Sequence, residues 1–149
     1  MKVALFEPDI AGNVGTIMRM CACLDLELCI IEPCGFPFDT DKIKRSAMDY
    51  INHVKVTKYN SFQDFKEQNK DCRIVLLTTK ASENYTKFKF EKNDIILAGR
   101  ESAGVPEYVH NGVDKRIIIP MKNNMRCFNV AMSVAMATGE AYRQVGFFD

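Results

Sequence analysis

The chain has 149 residues, 47% hydrophobic and 26% charged, which suits one domain with its own core and excludes a disordered chain. With 20 basic against 19 acidic side chains, it cannot grip nucleic acid by bulk charge, so any such binding needs local patches.

In chain order, Lys2–Glu7 reads as a short strand that meets an acid and then Pro8 after four apolar residues. That run is too short for a signal-peptide core or a membrane span, so an unexported, cytoplasmic protein is expected. The loop that follows, Glu7 to Gly15, holds two glycines and enters a helix predicted over Val14–Leu24. On that helix Ile17, Met20, Cys21 and Leu24 share one face at i, i+3, i+4, i+7 spacing, and Arg19 projects away from it. Glu27–Ile31 and Val54–Lys58 read as strands, separated by a basic patch at Lys42, Lys44 and Arg45. Ser61 and Asp64 form an S-x-x-D cap that starts the next helix. Arg73–Thr78 and Asp94–Ala98 are further strands, with Lys87 and Lys89 between them.

A second glycine-bearing loop, Gly99 to Val105, brackets Arg100, Glu101 and Ser102, and Pro106 is the favoured first residue of a short helix. Arg116–Ile119 is the last predicted strand. A third loop carrying Lys122 and Arg126 leads to Asn129, an N-cap candidate for a helix running to Gln144. That helix opens VAMSVAMAT, where only Ser133 and Thr138 interrupt small and apolar residues. A helix apolar nearly all round is either buried or wedged between the domain and a partner, here a second copy.

Alternating strands and helices predict an α/β domain with a mainly parallel sheet, whose ligands bind beyond the carboxyl ends of the strands. The three loops are therefore the candidate site. The six cysteines contain no C-x-x-C pair and the two histidines, His53 and His110, lie far from other ligand types, so no metal site is expected. No nucleophile–base pair or glycosidase-type carboxylate couple is visible. Glycine, asparagine and arginine in loops suit chemistry in which a reactive cofactor is held against a nucleophile.

Six segments carry a resemblance: Glu7–Ala22 (EPDIAGNVGTIMRMCA), Ile30–Phe36 (IIEPCGF), Lys44–Tyr50 (KRSAMDY), Leu76–Lys80 (LLTTK), Ala98–Pro106 (AGRESAGVP) and Ile119–Ala135 (IPMKNNMRCFNVAMSVA). Together and in this order they resemble the TrmL (YibK) family of tRNA 2′-O-ribose methyltransferases, in the SPOUT class. The resemblance implies a parallel sheet flanked by helices, with a C-terminal deep trefoil knot, as a single domain over residues 1–149 without an appended RNA-binding domain. It implies homodimers joined through the knot region and the C-terminal helix.

It also implies S-adenosylmethionine as cofactor and S-adenosylhomocysteine as product. The cofactor contacts fall at Leu77, Gly99, Ile119, Met125 and Cys127. Asn13, Arg19, Glu101 and Asn129 match the family's polar, catalytic motif residues, with Arg19 in the place regarded as catalytic. Arg19, Lys44, Arg45, Arg100, Lys122 and Arg126 are the residues expected to meet RNA. The implied substrate is the anticodon stem-loop of tRNA(Leu), methylated at position 34 on a cytidine or a modified uridine. Lys115 and Arg116 extend the last patch.

The chain departs from the family pattern in three places. Arg100-Glu101-Ser102-Ala103-Gly104 stands where relatives often carry Pro-Glu-Thr-Arg-Gly, Cys127-Phe128-Asn129-Val130-Ala131 stands for Ser-Leu-Asn-Leu-Ser, and Gly139 replaces a common tyrosine. These keep open a non-catalytic RNA-binding module that retains the cofactor pocket. A 2′-O-methyltransferase with another tRNA or rRNA target is also open. A flavodoxin-like redox domain rests on α/β alternation alone.

Overall fold

The computed structural model describes residues 1–147. Its elements are β1 (Lys2–Phe6), α1 (Ala11–Cys23), β2 (Glu27–Ile31), α2 (Asp41–Ala47), a 3₁₀ segment (Met48–Asn52), β3 (Val56–Tyr59), α3 (Phe62–Gln68), β4 (Arg73–Leu77), β5 (Asp94–Ala98), α4 (Glu107–Gly112), β6 (Lys115–Ile117) and α5 (Val130–Val145). All six strands are parallel, in the order β3-β2-β1-β5-β4-β6.

Strands such as RIVLL and DIILA read as continuous apolar runs because helices cover both faces of the sheet. Val3 and Leu5 point to the side of α1 and α5, while Ala4 and Phe6 point to the side of α3 and α4. Phe62, Phe65, Val109 and Val113 close the second side. No described helix is long and apolar enough to cross a membrane.

Several boundaries move from their sequence-predicted positions. Helix α1 begins at Ala11, and its buried face is Val14, Ile17, Met18 and Cys21, with Met20 and Leu24 only half-buried. The buried face is rotated from the predicted stripe, with Val14 and Met18 facing the core and Leu24 serving as the C-cap. Strand β3 starts two residues later than expected, and β6 is Lys115–Ile117. Ile118 pairs instead with Asn84, which takes the chain off the ladder. Pro106 is the N-cap of α4, in extended backbone, and not its first helical residue.

Helix α2 was not expected. Only Ile43 and Ala47 are buried in its seven residues, too few to show a helical stripe, but Thr40 caps it by accepting from the Ile43 amide. The caps at Ser61 and Asn129 are where the sequence placed them. Ser61 Oγ accepts from the Asp64 amide at 3.0 Å, and Asn129 Oδ1 accepts from the Ala131 amide at 2.9 Å.

Helix α5 buries Ala131, Val134, Ala137, Thr138, Ala141 and Tyr142. Ala137 and Ala141 pack with Phe88 and Phe90, and the Tyr142 hydroxyl donates to the Leu24 carbonyl at 2.7 Å. The helix is not enclosed on every side in one chain: Met132 and Met136 stand exposed on its outer face. Strands β1 and β5 are neighbours, yet the connections after them leave in opposite directions along the sheet, which opens a crevice outside their carboxyl ends.

Candidate functional site

A cavity of about 510 Å³ lies at the carboxyl ends of β4 and β5 and beyond β6. Its floor and walls are Leu76 to Lys80, Ala98 to Val105, Ile118, Ile119, Met121 and Arg126 to Val130, with Ile10 and Asn13 from the first loop. The three loops singled out in the sequence therefore line one space. This volume falls within the ~300–1,000 Å³ of small-molecule and cofactor sites.

Glycine builds part of the wall. A Cβ on Gly99 would lie 2.7 Å from the Gly104 carbonyl carbon, so only glycine lets the two backbones meet. Arg100 and Gly104 exchange both backbone hydrogen bonds, at 3.0 and 2.8 Å, and Gly104 takes a φ of 63° that favours glycine. The resulting turn holds Glu101 toward the first loop.

A polar network joins the loops. Glu101 Oε2 accepts from the Asp9 amide at 3.0 Å, and Oε1 accepts from Asn13 Nδ2 at 3.2 Å. Asn13 Oδ1 accepts from Asn129 Nδ2 at 3.0 Å, while Asn129 Oδ1 caps α5. Each amide donates through nitrogen and accepts through oxygen, so one orientation satisfies the whole chain of bonds. Ser102 Oγ donates to Asp9 Oδ2. Burial, and then the hydrogen bond with Asp9, push the Glu101 carboxyl up. Asp9, bonded to Glu101 and to Ser102, is held below the usual carboxylate range.

Of the residues expected to meet a cofactor, Leu77, Gly99, Ile119 and Cys127 line the cavity. Met125 does not, and its side chain is 63% exposed beyond the turn in which Asn124 adopts a φ of 72°. Asn13, Glu101 and Asn129 stand together on the cavity rim, but Arg19 does not line the cavity of its own chain. Arg19 is exposed on α1, with its guanidinium carbon 5.2 Å from the centroid of the Tyr50 ring.

The remaining basic residues are spread around this site. Arg126 lines the cavity, and Lys122 is exposed just before it. Arg100 is at the rim but already engaged, 3.2 Å from Glu7 and with its guanidinium over the Phe6 ring. Lys44 and Arg45 are exposed on α2, where Lys44 pairs with Asp39 at 3.2 Å. Sequence reasoning missed His110 and Ser133, which also line the cavity. Ser133 had a visible sign, being a polar residue in the first turn of an apolar helix.

The cavity fits a nucleoside cofactor. Its Leu76, Leu77, Ile118 and Ile119 surfaces are apolar, and its glycine turn exposes backbone groups.

Comparison with known proteins gives a family match, a curated relative and two solved structures. The model of the SpoU rRNA Methylase family matches residues 1–139. A tRNA (cytidine(34)-2′-O)-methyltransferase of Beijerinckia indica is 50% identical over 146 residues, 97% of this chain and 91% of that one. A solved structure described as giving insight into the 2-OH methylation of C/U34 on tRNA superposes with a TM-score of 0.92 at 33% identity, covering 96% of this chain and 94% of that one. The AviRb methyltransferase of Streptomyces viridochromogenes, solved with AdoMet, shares the fold at a TM-score of 0.86 and 22% identity, covering 97% of this chain and 60% of that one.

Proposed function

The chain belongs to the SpoU rRNA Methylase family, and from that premise we propose that it methylates the ribose 2′-oxygen of the wobble nucleotide, position 34, of tRNA. The observation that carries this reading is the Asn129–Asn13–Glu101 network, which draws three loops separated by as many as 116 residues around one cofactor-sized cavity.

S-adenosylmethionine, when bound, supplies an electrophilic methyl group on a sulfonium and leaves as S-adenosylhomocysteine. Leu77, Gly99, Ile119 and Cys127 are the residues that would hold it, with AdoMet in a neighbour of the same fold supporting the assignment. Both oxygens of Glu101 already accept hydrogen bonds, so Glu101 braces the loops and is not a free base. A guanidinium keeps its proton at working pH, so Arg19 serves as a clamp for a phosphate and as a donor to the developing 2′-oxyanion, and the hydroxyl proton passes to solvent water as the O–CH3 bond forms and the S–CH3 bond breaks.

The finer features follow from the same reading. The C-terminal segment threads into a trefoil knot, supported by the Asn84–Ile118 bridge and by α5 lying between α1 and Phe88–Phe90. The unit is a homodimer, supported by exposed Ile10, Phe128, Met132 and Met136 beside the cavity. In that dimer Arg19 of one copy completes the cavity of the other. One domain in the cytoplasm, acting on an anticodon stem-loop through Lys44, Arg45, Lys122 and Arg126, completes the proposal.

The test is methyl transfer from labelled S-adenosylmethionine to tRNA lacking ribose methylation, a leucine tRNA first, with the modified nucleotide mapped. Label at the ribose of position 34 is expected, and Arg19→Ala should lower the rate by roughly 10²-fold or more. Arg19→Lys should recover little, because an ammonium lacks the planar fork. Cofactor binding without transfer to any tRNA would favour the non-catalytic module.

A further inference from the structure

Arg19 is held differently from Arg73, Arg100 and Arg143. Arg73 pairs with Asp94 and Glu91, Arg100 with Glu7, and Arg143 with Glu140. Among the described residues no carboxylate pairs with Arg19. Its neighbours are the Tyr50 ring, 5.2 Å away, and Met48 Sδ, 3.3 Å from Nη1.

The distinction matters because a carboxylate binds a guanidinium through its edge and occupies the same N–H donors that a phosphate or a ribose oxygen needs. A ring binds through the face and leaves the edge open. We infer that Tyr50 is the positioning residue for Arg19, holding the guanidinium over its ring so that the Nε and Nη2 donors, which have no acceptor among the described residues, are presented to the RNA backbone. This rests on the role given to Arg19 above.

The fold places the ring deliberately. Gly15 lets α2 lie against α1, since a Cβ there would be 2.5 Å from Ser46 Cβ and 2.7 Å from the Ile43 carbonyl oxygen. Met48 then adopts a φ of 55°, which turns the chain out of α2 into the 3₁₀ segment that carries Tyr50. Tyr50 is half-buried, while Arg19 over its ring stays exposed.

The experiment compares Tyr50→Phe and Tyr50→Leu with the unaltered chain in three readouts. These are methyl transfer to tRNA, S-adenosylmethionine affinity by calorimetry, and the NMR shift of the Arg19 Nε–H proton. Tyr50→Leu should lower kcat/KM for tRNA by roughly fivefold or more. It should leave cofactor affinity unchanged, because Tyr50 does not line the cavity. Tyr50→Phe should recover most of the rate, since it keeps the ring face. The Arg19 proton should carry a ring-current shift in the unaltered chain and in Tyr50→Phe, and lose it in Tyr50→Leu.

Full rate in Tyr50→Leu, or Tyr50→Phe as slow as Tyr50→Leu, would overturn the inference. So would an Arg19 proton indifferent to both changes. Absence of methyl transfer by the unaltered chain would overturn the functional reading instead, and the proton shift would still decide whether Tyr50 holds Arg19.

Discussion

Cys127 and Cys21 are the same residue type in opposite surroundings. Burial pushes the Cys21 thiol up to about 12 and the Cys29 thiol up to about 11, so neither is nucleophilic near neutral pH. Cys23 and Cys127 are exposed, and only Cys127 lines the cavity. Alkylation near pH 8 should therefore modify these two, and S-adenosylhomocysteine should slow modification of Cys127 without protecting Cys23. Mass spectrometry of the two peptides checks this, and equal rates at Cys127 with and without the ligand would place the cofactor elsewhere. At this scale the sequence was legible unevenly. Leu77, Gly99, Ile119 and Cys127 were found through motifs and line the cavity, as do Asn13, Glu101 and Asn129. No spacing rule links positions 13, 101 and 129, so only a resemblance could join them. Tyr50 stood inside a recognised motif and went unremarked, because a ring's partner on another helix cannot be read from either helix alone.

Among the elements, the strands were the most legible, since a sheet covered on both faces demands unbroken apolar runs. Caps at Ser61 and Asn129 were legible because their side chains satisfy amides a few residues away. Helix α2 escaped because its stability comes from α1 and not from its own apolar face. That dependence can be tested at two glycines on α1. A Cβ at Gly15 would collide with Ser46 and the Ile43 carbonyl, whereas one at Gly12 would sit 3.6 Å from Ser46 Oγ, an ordinary contact. Gly15→Ala should destabilise the protein by roughly 1–3 kcal/mol through overpacking. Gly12→Ala should be neutral or stabilising by up to about 1 kcal/mol, as a helical glycine replaced by a better helix former. Urea unfolding of the two variants gives the comparison, and equal midpoints would mean that α2 is not seated on Gly15.

For the molecule as a whole, the separation of Arg19 from the cavity of its own chain makes a sharper claim than dimerisation alone. Each of two inactive variants, Arg19→Ala and Gly99→Val, should lack what the other keeps: the first the arginine, the second the glycine turn. If the arginine acts across the interface, a refolded equal mixture should regain roughly a quarter of the unaltered activity, from one intact site in half of the dimers. A mixture as inactive as its parents would place Arg19 and the cavity in one copy. The strand order was not legible in the sequence, because it depends on contacts between distant residues.

The hydrogen bonds from Asn13 to Glu101 and from Asn129 to Asn13 span 88 and 116 residues. Contacts so distant are rewarded only after long loops have closed, which makes them late events in folding. A nascent chain short of Asn129 has its first loop and all six strands but lacks the Asn129–Asn13 bond that completes the brace, and thus has no finished pocket. Occupancy by the cofactor is then a readout of a chain made through Asn129, and ligand in excess stabilises only those copies that have reached α5.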